Sequence, residues 1–394
     1  MTPEPSAISH RRISVLGSTG SIGVNTLDVI AHMGGPEAFD VVALTGASNI
    51  DLLAQQAQVV NAEIAVTADE TRYRDLKAAL AGTGIEAAAG RNALIEAAGR
   101  PADITMAAIV GMAGLEPTLA AAANGGVMAL ANKECLVSAG DLFIAAVREA
   151  GGSLLPVDSE HNAIFQVLDP SQKRGVERII LTASGGPFRT FTREQMEGVT
   201  AQTARRHPNW SMGLKISIDS ASMFNKALEM VEARHLFDLS PDQVEVIVHP
   251  QSIVHSMVAY ADGSVLAQLG PSDMRTAIGY CLAWPFRAHM PVERLDFAKL
   301  ARLDFEAPDE TRFPALRLAR QALETGGVAG AVLNGAKEVA LDAFIEGRTG
   351  FLQMAEIVEK VMDRLSPDVA AATLDDVFSA DHWARGMARS LIAA

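Results

Sequence analysis

An α/β fold is predicted: a doubly wound parallel sheet in the N-terminal part, a central α+β segment and an α-helical bundle at the C-terminus. Three observations carry this expectation. Short apolar runs at 13–16, 41–44, 64–67, 104–107 and 127–130 alternate with amphipathic stretches, the pattern of parallel strands covered by helices. Between 244 and 269 apolar runs succeed one another directly, and Asp262-Gly263 supplies a hairpin signal between the last two. Beyond Pro314 the apolar residues recur at helical spacing, most clearly at 351, 354, 357, 358, 361, 362 and 365.

Bulk properties narrow the function. A chain of 394 residues exceeds one ordinary core, so two or three domains are expected. With 49% hydrophobic and 20% charged residues it reads as a soluble globular protein. No apolar run reaches bilayer-spanning length and residues 1–12 lack the apolar core of a secretion signal, so a cytoplasmic protein with no membrane partner is expected. Cys135 and Cys281 stand far apart, outside any metal or redox spacing, and read as reduced thiols. A net charge of −14 argues against nucleic acid as a partner, because counterion release needs a basic surface. An anionic substrate would have to find its positive charge locally.

The first strand runs into Gly17-Ser18-Thr19-Gly20-Ser21-Ile22-Gly23 and then an amphipathic helix. The spacing G-x-x-G-x-x-G is a variant of the dinucleotide fingerprint, whose glycines let backbone N–H groups at a helix start approach a pyrophosphate. The second strand tests the cofactor's ribose. An NAD site usually carries an acid there, whereas this chain has Thr45, Gly46, Ala47, Ser48 and Asn49, small polar groups that leave room for a 2′-phosphate. NADP is therefore preferred. The segments 111–114 and Ala131-Asn132-Lys133-Glu134 follow later strands of the same sheet, at the face where ligands bind.

The stretch Pro156-Val157-Asp158-Ser159-Glu160-His161-Asn162 follows an apolar strand at 153–157. Read as extended chain, it projects Asp158 and Glu160 to the same side, where both can reach one hard cation. After a strand at 178–182, Ser184-Gly185-Gly186-Pro187-Phe188 turns sharply. Residues 190–214 show poor periodicity and carry His207, Pro208, Asn209, Trp210 and Gly213. A tryptophan among prolines and glycines is often a packed anchor, and it is also what a lid requires. A helix at 221–235 follows, with Asp219 or Ser220 as its cap, and it places Asn225 and Glu229 on one face with Lys226 adjacent. Strands at 244–260 and 264–269 form an antiparallel segment, in which His249 and His255 read as structural.

Three acids, Asp158, Glu160 and Glu229, without Cys or His at the pair, suit Mg2+ or Mn2+ and not zinc. Ser184, Ser220, Asn225, Lys226 and His207 are donors of the kind that hold a phosphate monoester. Together with the nucleotide fold they suggest a metal-assisted oxidoreductase acting on a phosphorylated small molecule.

At these residues the chain resembles the 1-deoxy-D-xylulose 5-phosphate reductoisomerases. The matching segments are GSTGSIG at 17–23, ANKE at 131–134, PVDSEHNAIFQ at 156–166, SGGPFR at 184–189, HPNWSMG at 207–213, KISIDSASMFNKALEMVEA at 215–233, HPQSIVHSMV at 249–258 and DMRTAI at 273–278. The resemblance implies rearrangement of 1-deoxy-D-xylulose 5-phosphate and reduction by NADPH to 2-C-methyl-D-erythritol 4-phosphate, with one divalent cation, Mn2+ or Mg2+. It implies that Asp158, Glu160 and Glu229 are the metal ligands and that Ser184, Ser220, Asn225 and Lys226 contact the phosphate, with His207 close by. Ser159, Glu160 and Lys133 would face the substrate's hydroxyl end, and Trp210 would lie on a lid. Thr19, Gly20, Ser21, Ile22, Asn132, Glu134 and Gly213 fall where the family contacts NADPH, and Ala47, Ser48 and Asn49 lie at the ribose end.

The fold implied is V-shaped: a Rossmann-type NADPH domain at 1–157, a catalytic domain at 158–285 whose sheet helps form a homodimer, a linker at 286–310 and a helical bundle at 311–394. Two departures stand out. Ser48 replaces a lysine that family members often carry near the 2′-phosphate, and LNGAKEVA at 333–340 replaces the usual LNAANEVA. Chemically, a divalent ion chelated by the substrate's carbonyl and adjacent hydroxyl polarises the carbonyl and acidifies the hydroxyl, as carbon–carbon cleavage and rejoining require. Lys133 and Glu160 are both candidates for the general base. The competing reading is another NAD(P)-dependent oxidoreductase with a phosphorylated substrate, such as a semialdehyde dehydrogenase, which would need a nucleophilic cysteine. A nucleotide sensor on the same fold would need the glycine turn but not the three acids.

Overall fold

The computed structural model describes residues 10–210, 212–366 and 370–393. The chain divides into two compact units. The first holds the chain up to Cys135, Ala145–Asn162 and Asp273–Glu293; the second holds Leu136–Ile144, Ala163–Ser272 and the chain from Arg294 onward.

The first unit is built on strands β1 (Arg11–Leu16), β2 (Phe39–Gly46), β3 (Ile64–Thr67), β4 (Glu86–Ala89), β5 (Ile104–Ala107), β6 (Val127–Leu130) and β7 (Ser153–Pro156). They form a seven-stranded sheet in the order β4-β3-β2-β1-β5-β6-β7, every pairing parallel. Strands such as Ile-Ala-Val-Thr and Ile-Thr-Met-Ala are buried along their whole length, as a sheet covered on both faces demands. The order reverses beside β1, whose neighbours are β2 and β5, and a crevice at the strands' C-terminal ends is where such sheets take ligands. The expected doubly wound sheet is therefore present. Strand β4 had no signal in the sequence. Its residues Glu-Ala-Ala-Ala lack β-branched side chains, and only pairing with β3 makes them an edge strand.

Residues 273–293 also belong to this unit, where the sequence placed 273–285 with the catalytic segment and 286–310 in a linker. Helix Arg275–Ala283 packs on helix Ser21–His32, with Arg275 Nη1 3.1 Å from Asp28 Oδ2. Arg11 Nη1 donates to the carbonyls of Leu282 and Trp284 at 3.1 and 3.2 Å. Contacts between residues so distant in the chain leave no local trace.

Strand β7 ends at Pro156 and a helix begins at Ser159, so Asp158 sits just before a helix and Glu160 in its first turn. The pleat does not align them. Asn162 N–H donates to Asp158 O at 2.8 Å, closing the first helical turn, and Asn162 Nδ2 donates to Pro156 O at 2.9 Å.

The second unit contains β8 (Val176–Ala183), β9 (Val244–Val248), β10 (Val254–Tyr260) and β11 (Val265–Leu269) in the order β11-β10-β8-β9. The hairpin at Asp262-Gly263 joins β10 and β11, with Gly263 N–H donating to Tyr260 O at 2.9 Å. Because β8 and β9 pair in parallel, the sheet is mixed instead of antiparallel throughout. The helix expected at 221–235 runs from Phe224 to Phe237, and a separate helix, Leu214–Ala221, precedes it across a break at Met223 with φ of 64°. Asp219 and Ser220 lie inside that preceding helix and cap nothing. Asp219 is buried and its Oδ2 meets Lys337 Nζ at 3.0 Å.

Helices Ala315–Thr325, Ala329–Ile345, Phe351–Met362 and Leu374–Ala393 pack on one another and share one core with β8, β9 and helix Phe224–Phe237. The helical spacing read at 351, 354, 357, 358, 361 and 362 is the buried face.

Candidate functional site

The glycine turn leaves β1 at Gly17, whose φ of +87° and whose approach to Ala108, 2.6 Å from a would-be Cβ to the carbonyl oxygen, admit no side chain. Helix Ser21–His32 then begins with no side-chain cap at Gly20, so its first amides are presented as a helix start presents them. Thr19 and Ile22 are half-buried while Gly20 and Ser21 are exposed. Ala47, Ser48 and Asn49 are exposed beyond β2, and the Asn49 side chain accepts from Leu52 N–H at 3.2 Å, capping helix Ile50–Val60. Asn132 is otherwise engaged. Its Oδ1 accepts from Cys135 N–H at 3.2 Å and its Nδ2 donates to the carbonyls of Ile109 and Gly111. It shapes the 109–111 loop while capping helix Lys133–Glu149, and Glu134 lies buried in that helix's first turn.

The same unit gathers Lys133, Asp158, Ser159 and Glu160. The Lys133 ammonium is ion-paired with Asp158, and Ser159 Oγ donates to Glu160 Oε2 at 2.6 Å. Asn162 reaches Cys281 Sγ at 3.7 Å, so the loop before the acids is tied down from behind.

In the second unit, Ser184 follows β8, and Gly185 and Gly186 turn the chain with φ of +79° and +65°. A Cβ on Gly186 would come within 2.8 Å of Ala221 Cα, so the turn lies directly on helix Leu214–Ala221, which carries Ser220. Gly213 is the extended residue preceding that helix. Ser184 Oγ is 2.8 Å from His207 Nε2 and accepts from Gly186 N–H at 3.1 Å. His207 Nδ1 accepts from the N–H groups of Asn209 and Trp210 at 3.2 and 3.0 Å. A ring nitrogen that accepts carries no proton, so Nε2–H is the donor to Ser184. Ser184 accepts twice, and its own hydroxyl proton is left to give to an anion.

Trp210 is half-buried, its ring 6.0 Å from His255, and Asn209 Nδ2 anchors the same loop to Pro250 O at 2.6 Å and Ser252 Oγ at 2.9 Å. Ser211 lies outside the described residues. On helix Phe224–Phe237, Asn225 Nδ2 and Lys226 Nζ each hold one oxygen of Glu229 at 2.5 Å. Lys226 and Glu229 are both buried.

The acids are therefore oxygen donors in part-buried or buried positions, Asp158 and Glu229 each beside a lysine ammonium. Such donors fit a hard divalent cation. Two buried titratable residues were not singled out as ligands by the sequence reading: His161 in the helix of Glu160, and Glu232, one turn beyond Glu229. Their helical spacing from the acids was the available signal. Both cysteines are buried, and burial pushes the Cys281 thiol up to about 12, which disqualifies it as a nucleophile at neutral pH.

Comparison with known proteins gives a consistent answer. Residues 13–140 match the family profile of 1-deoxy-D-xylulose 5-phosphate reductoisomerase, 154–237 its C-terminal domain profile, and 269–387 the profile described as DXP reductoisomerase C-terminal domain. The 1-deoxy-D-xylulose 5-phosphate reductoisomerase of Sinorhizobium fredii is 72% identical over 384 residues, 98% of each chain. That of Rhizobium meliloti is 71% identical, covering 97% of this chain and 98% of its own. The solved enzyme from Zymomonas mobilis in complex with NADPH superposes with a TM-score of 0.91 at 54% identity, covering 98% of this chain and 99% of the other. A reductoisomerase in complex with NADPH, fosmidomycin and magnesium does so with a TM-score of 0.93 at 40% identity, covering 97% and 98%. On full-length identity of this order, the chain belongs to the 1-deoxy-D-xylulose 5-phosphate reductoisomerase family.

Proposed function

We infer that this protein converts 1-deoxy-D-xylulose 5-phosphate to 2-C-methyl-D-erythritol 4-phosphate, using NADPH and a divalent cation, Mg2+ or Mn2+, in the non-mevalonate route to isoprenoids. The observation that carries this is identity of 72% over 98% of the chain to an enzyme of that activity. The roles of individual residues are our own assignment. By chain segment, we assign NADPH binding to 1–157 and metal and substrate binding to 158–272, with 273–293 folding with the first unit and 311–394 as supporting bundle.

Asp158, Glu160 and Glu229 hold the divalent ion. When bound, the ion polarises the substrate's carbonyl and acidifies the neighbouring hydroxyl. Ser184, Ser220, Asn225 and Lys226 hold the phosphate, with His207 keeping the Ser184 hydroxyl turned outward as a donor. Ser159 faces the hydroxyl end. Lys133, ion-paired with Asp158, and Glu160 are the two groups assigned to move protons there. Thr19 to Ile22 take the pyrophosphate, and Ala47, Ser48 and Asn49 the phosphorylated ribose. Asn132, Glu134 and Gly213 shape the nicotinamide end. Trp210 covers the bound substrate and excludes water from hydride transfer.

We further propose a homodimer formed through the edge strand β11, whose Val265 and Leu266 are 51% and 48% exposed. No described helix is long and apolar enough to cross a membrane, and two buried free thiols suit the cytoplasm in which we place the enzyme. The deciding assay follows NADPH absorbance with 1-deoxy-D-xylulose 5-phosphate, with and without Mg2+ or Mn2+. Consumption should require both substrate and metal, and oxidation of NADPH independent of either would sink this reading.

A further inference from the structure

The glycine turn is held from beneath by residues that the dinucleotide fingerprint does not include. Thr45 of β2 takes both of the turn's first amides: Gly17 N–H donates to Thr45 Oγ1 at 2.8 Å and Ser18 N–H to Thr45 O at 2.7 Å. The other two polar groups of Ser18 go to one side chain. Gln56 Nε2 donates to Ser18 O at 2.9 Å, and Ser18 Oγ donates to Gln56 Oε1 at 2.9 Å. A carbonyl can only accept, so the end of the amide facing Ser18 O must be the NH2, and the orientation of Gln56 is fixed by chemistry.

All three residues are out of water: Ser18 is 0% exposed, Thr45 1% and Gln56 8%. The other buried positions of helix Ile50–Val60 are Ile50, Leu53, Ala54 and Ala57. A glutamine among them costs desolvation that only these two bonds offset. Every polar group of Ser18 points inward, so Ser18 cannot be a ligand of the cofactor. What it does is set the height and tilt of Thr19, Gly20 and Ser21 behind it.

We propose that Gln56 is a positioning residue for the cofactor: through Ser18 it holds the pyrophosphate turn of the NADPH site in its binding shape. The inference rests on the assignment of NADPH to this turn. A loop that must meet an anion with several amides loses affinity steeply when its support is loosened. Because the pyrophosphate is common to both nicotinamide cofactors, the effect is independent of the 2′-phosphate.

The test measures NADPH and NADH dissociation constants by fluorescence titration of the full-length protein, parent against Gln56→Leu, Ser18→Ala and the double variant. Gln56→Leu should raise both constants by the same factor, about tenfold, as loss of one or two net hydrogen bonds predicts. The KM for NADPH should rise with it, while kcat at saturating NADPH and the KM for 1-deoxy-D-xylulose 5-phosphate stay within about twofold of the parent. Ser18→Ala should cost less alone and nothing further in the Gln56→Leu background. If Gln56→Leu does not fold, Ser18→Ala decides: a constant equal to the parent's defeats the proposal. It is also overturned if Gln56→Leu lowers the melting temperature with cofactor constants unchanged, or if only NADPH is affected. A parent that binds no NADPH would instead refute the cofactor assignment.

Discussion

Glu229 shows how a single residue carries several demands. It is buried with one oxygen on Asn225 and the other on Lys226, so its charge is balanced within helix Phe224–Phe237. Replacing it with the isosteric glutamine keeps the shape and removes the carboxylate charge from the buried Lys226–Glu229 pair, a loss that for buried pairs reaches roughly 3–5 kcal/mol. Glu229→Gln is therefore expected to lower the melting temperature and nearly abolish turnover while NADPH affinity changes little, because the glycine turn belongs to the other compact unit. Loss of NADPH binding in a folded variant would show that the acid is misassigned. The pairing of Asn225, Lys226 and Glu229 was legible at this scale, since spacings of three and four residues on a helix place side chains together. The alignment of Asp158 with Glu160 was not, because the helix begins two residues earlier than a strand reading allows. Gln56 has no signature in the sequence: a glutamine in an amphipathic helix looks like a solvent-facing residue until the burial of its partner is known.

At the scale of elements, close packing decides the state of a histidine. Within the second unit Gly140 lies so near the His235 ring that a Cβ there would come within 2.4 Å of it. The packing strips water from the imidazole, and burial lowers its pKa below the ordinary 6.5, opposed by Asp141, whose Oδ1 is 3.0 Å from Nδ1, and assisted by the positive charge of Arg234. In the unfolded chain the ring takes up a proton at about pH 6.5; in the folded protein it resists until lower pH. The unfolded state thus binds more protons in that window, and stability rises with pH there. His235 accordingly contributes in full above pH 6.5 and its contribution is lost as the pH falls toward the folded pKa. Thermal melts at pH 7.5 and 5.5 should show a smaller difference for His235→Gln than for the parent. An equal difference would mean that other groups set the acid limb. Elements with strong periodicity, such as Phe351–Met362, were legible from sequence. The break at Met223 was not, since a positive φ at a methionine is imposed by the packing of the two helices it joins and has no signature in residue type.

For the molecule as a whole, the exposed apolar pair Val265 and Leu266 on strand β11 is the feature that calls for a partner. An edge strand offers unpaired backbone groups, and apolar side chains on it invite a second copy. The double replacement of Val265 and Leu266 by lysine is expected to convert a dimer in sedimentation velocity to single chains. A dimer that survives would move the interface elsewhere. Chain length pointed to two or three domains, and the chain divides into two compact units, but the return of residues 273–293 to the first unit depends on Arg275 meeting Asp28 and on Arg11 meeting the carbonyls of 282 and 284.

The order of residues alone sufficed for the alternating strands and helices and the glycine turn, and for singling out the acids and the hydroxyl and amide donors as candidates, because each is written in local spacing and residue type. Strand order, the mixed sheet, the tautomer of His207, the burial of Glu229 and the clamp of Gln56 on Ser18 came only from the folded chain. These depend on which distant groups meet out of water, and the free energy of that meeting belongs to pairs of residues that no local window contains.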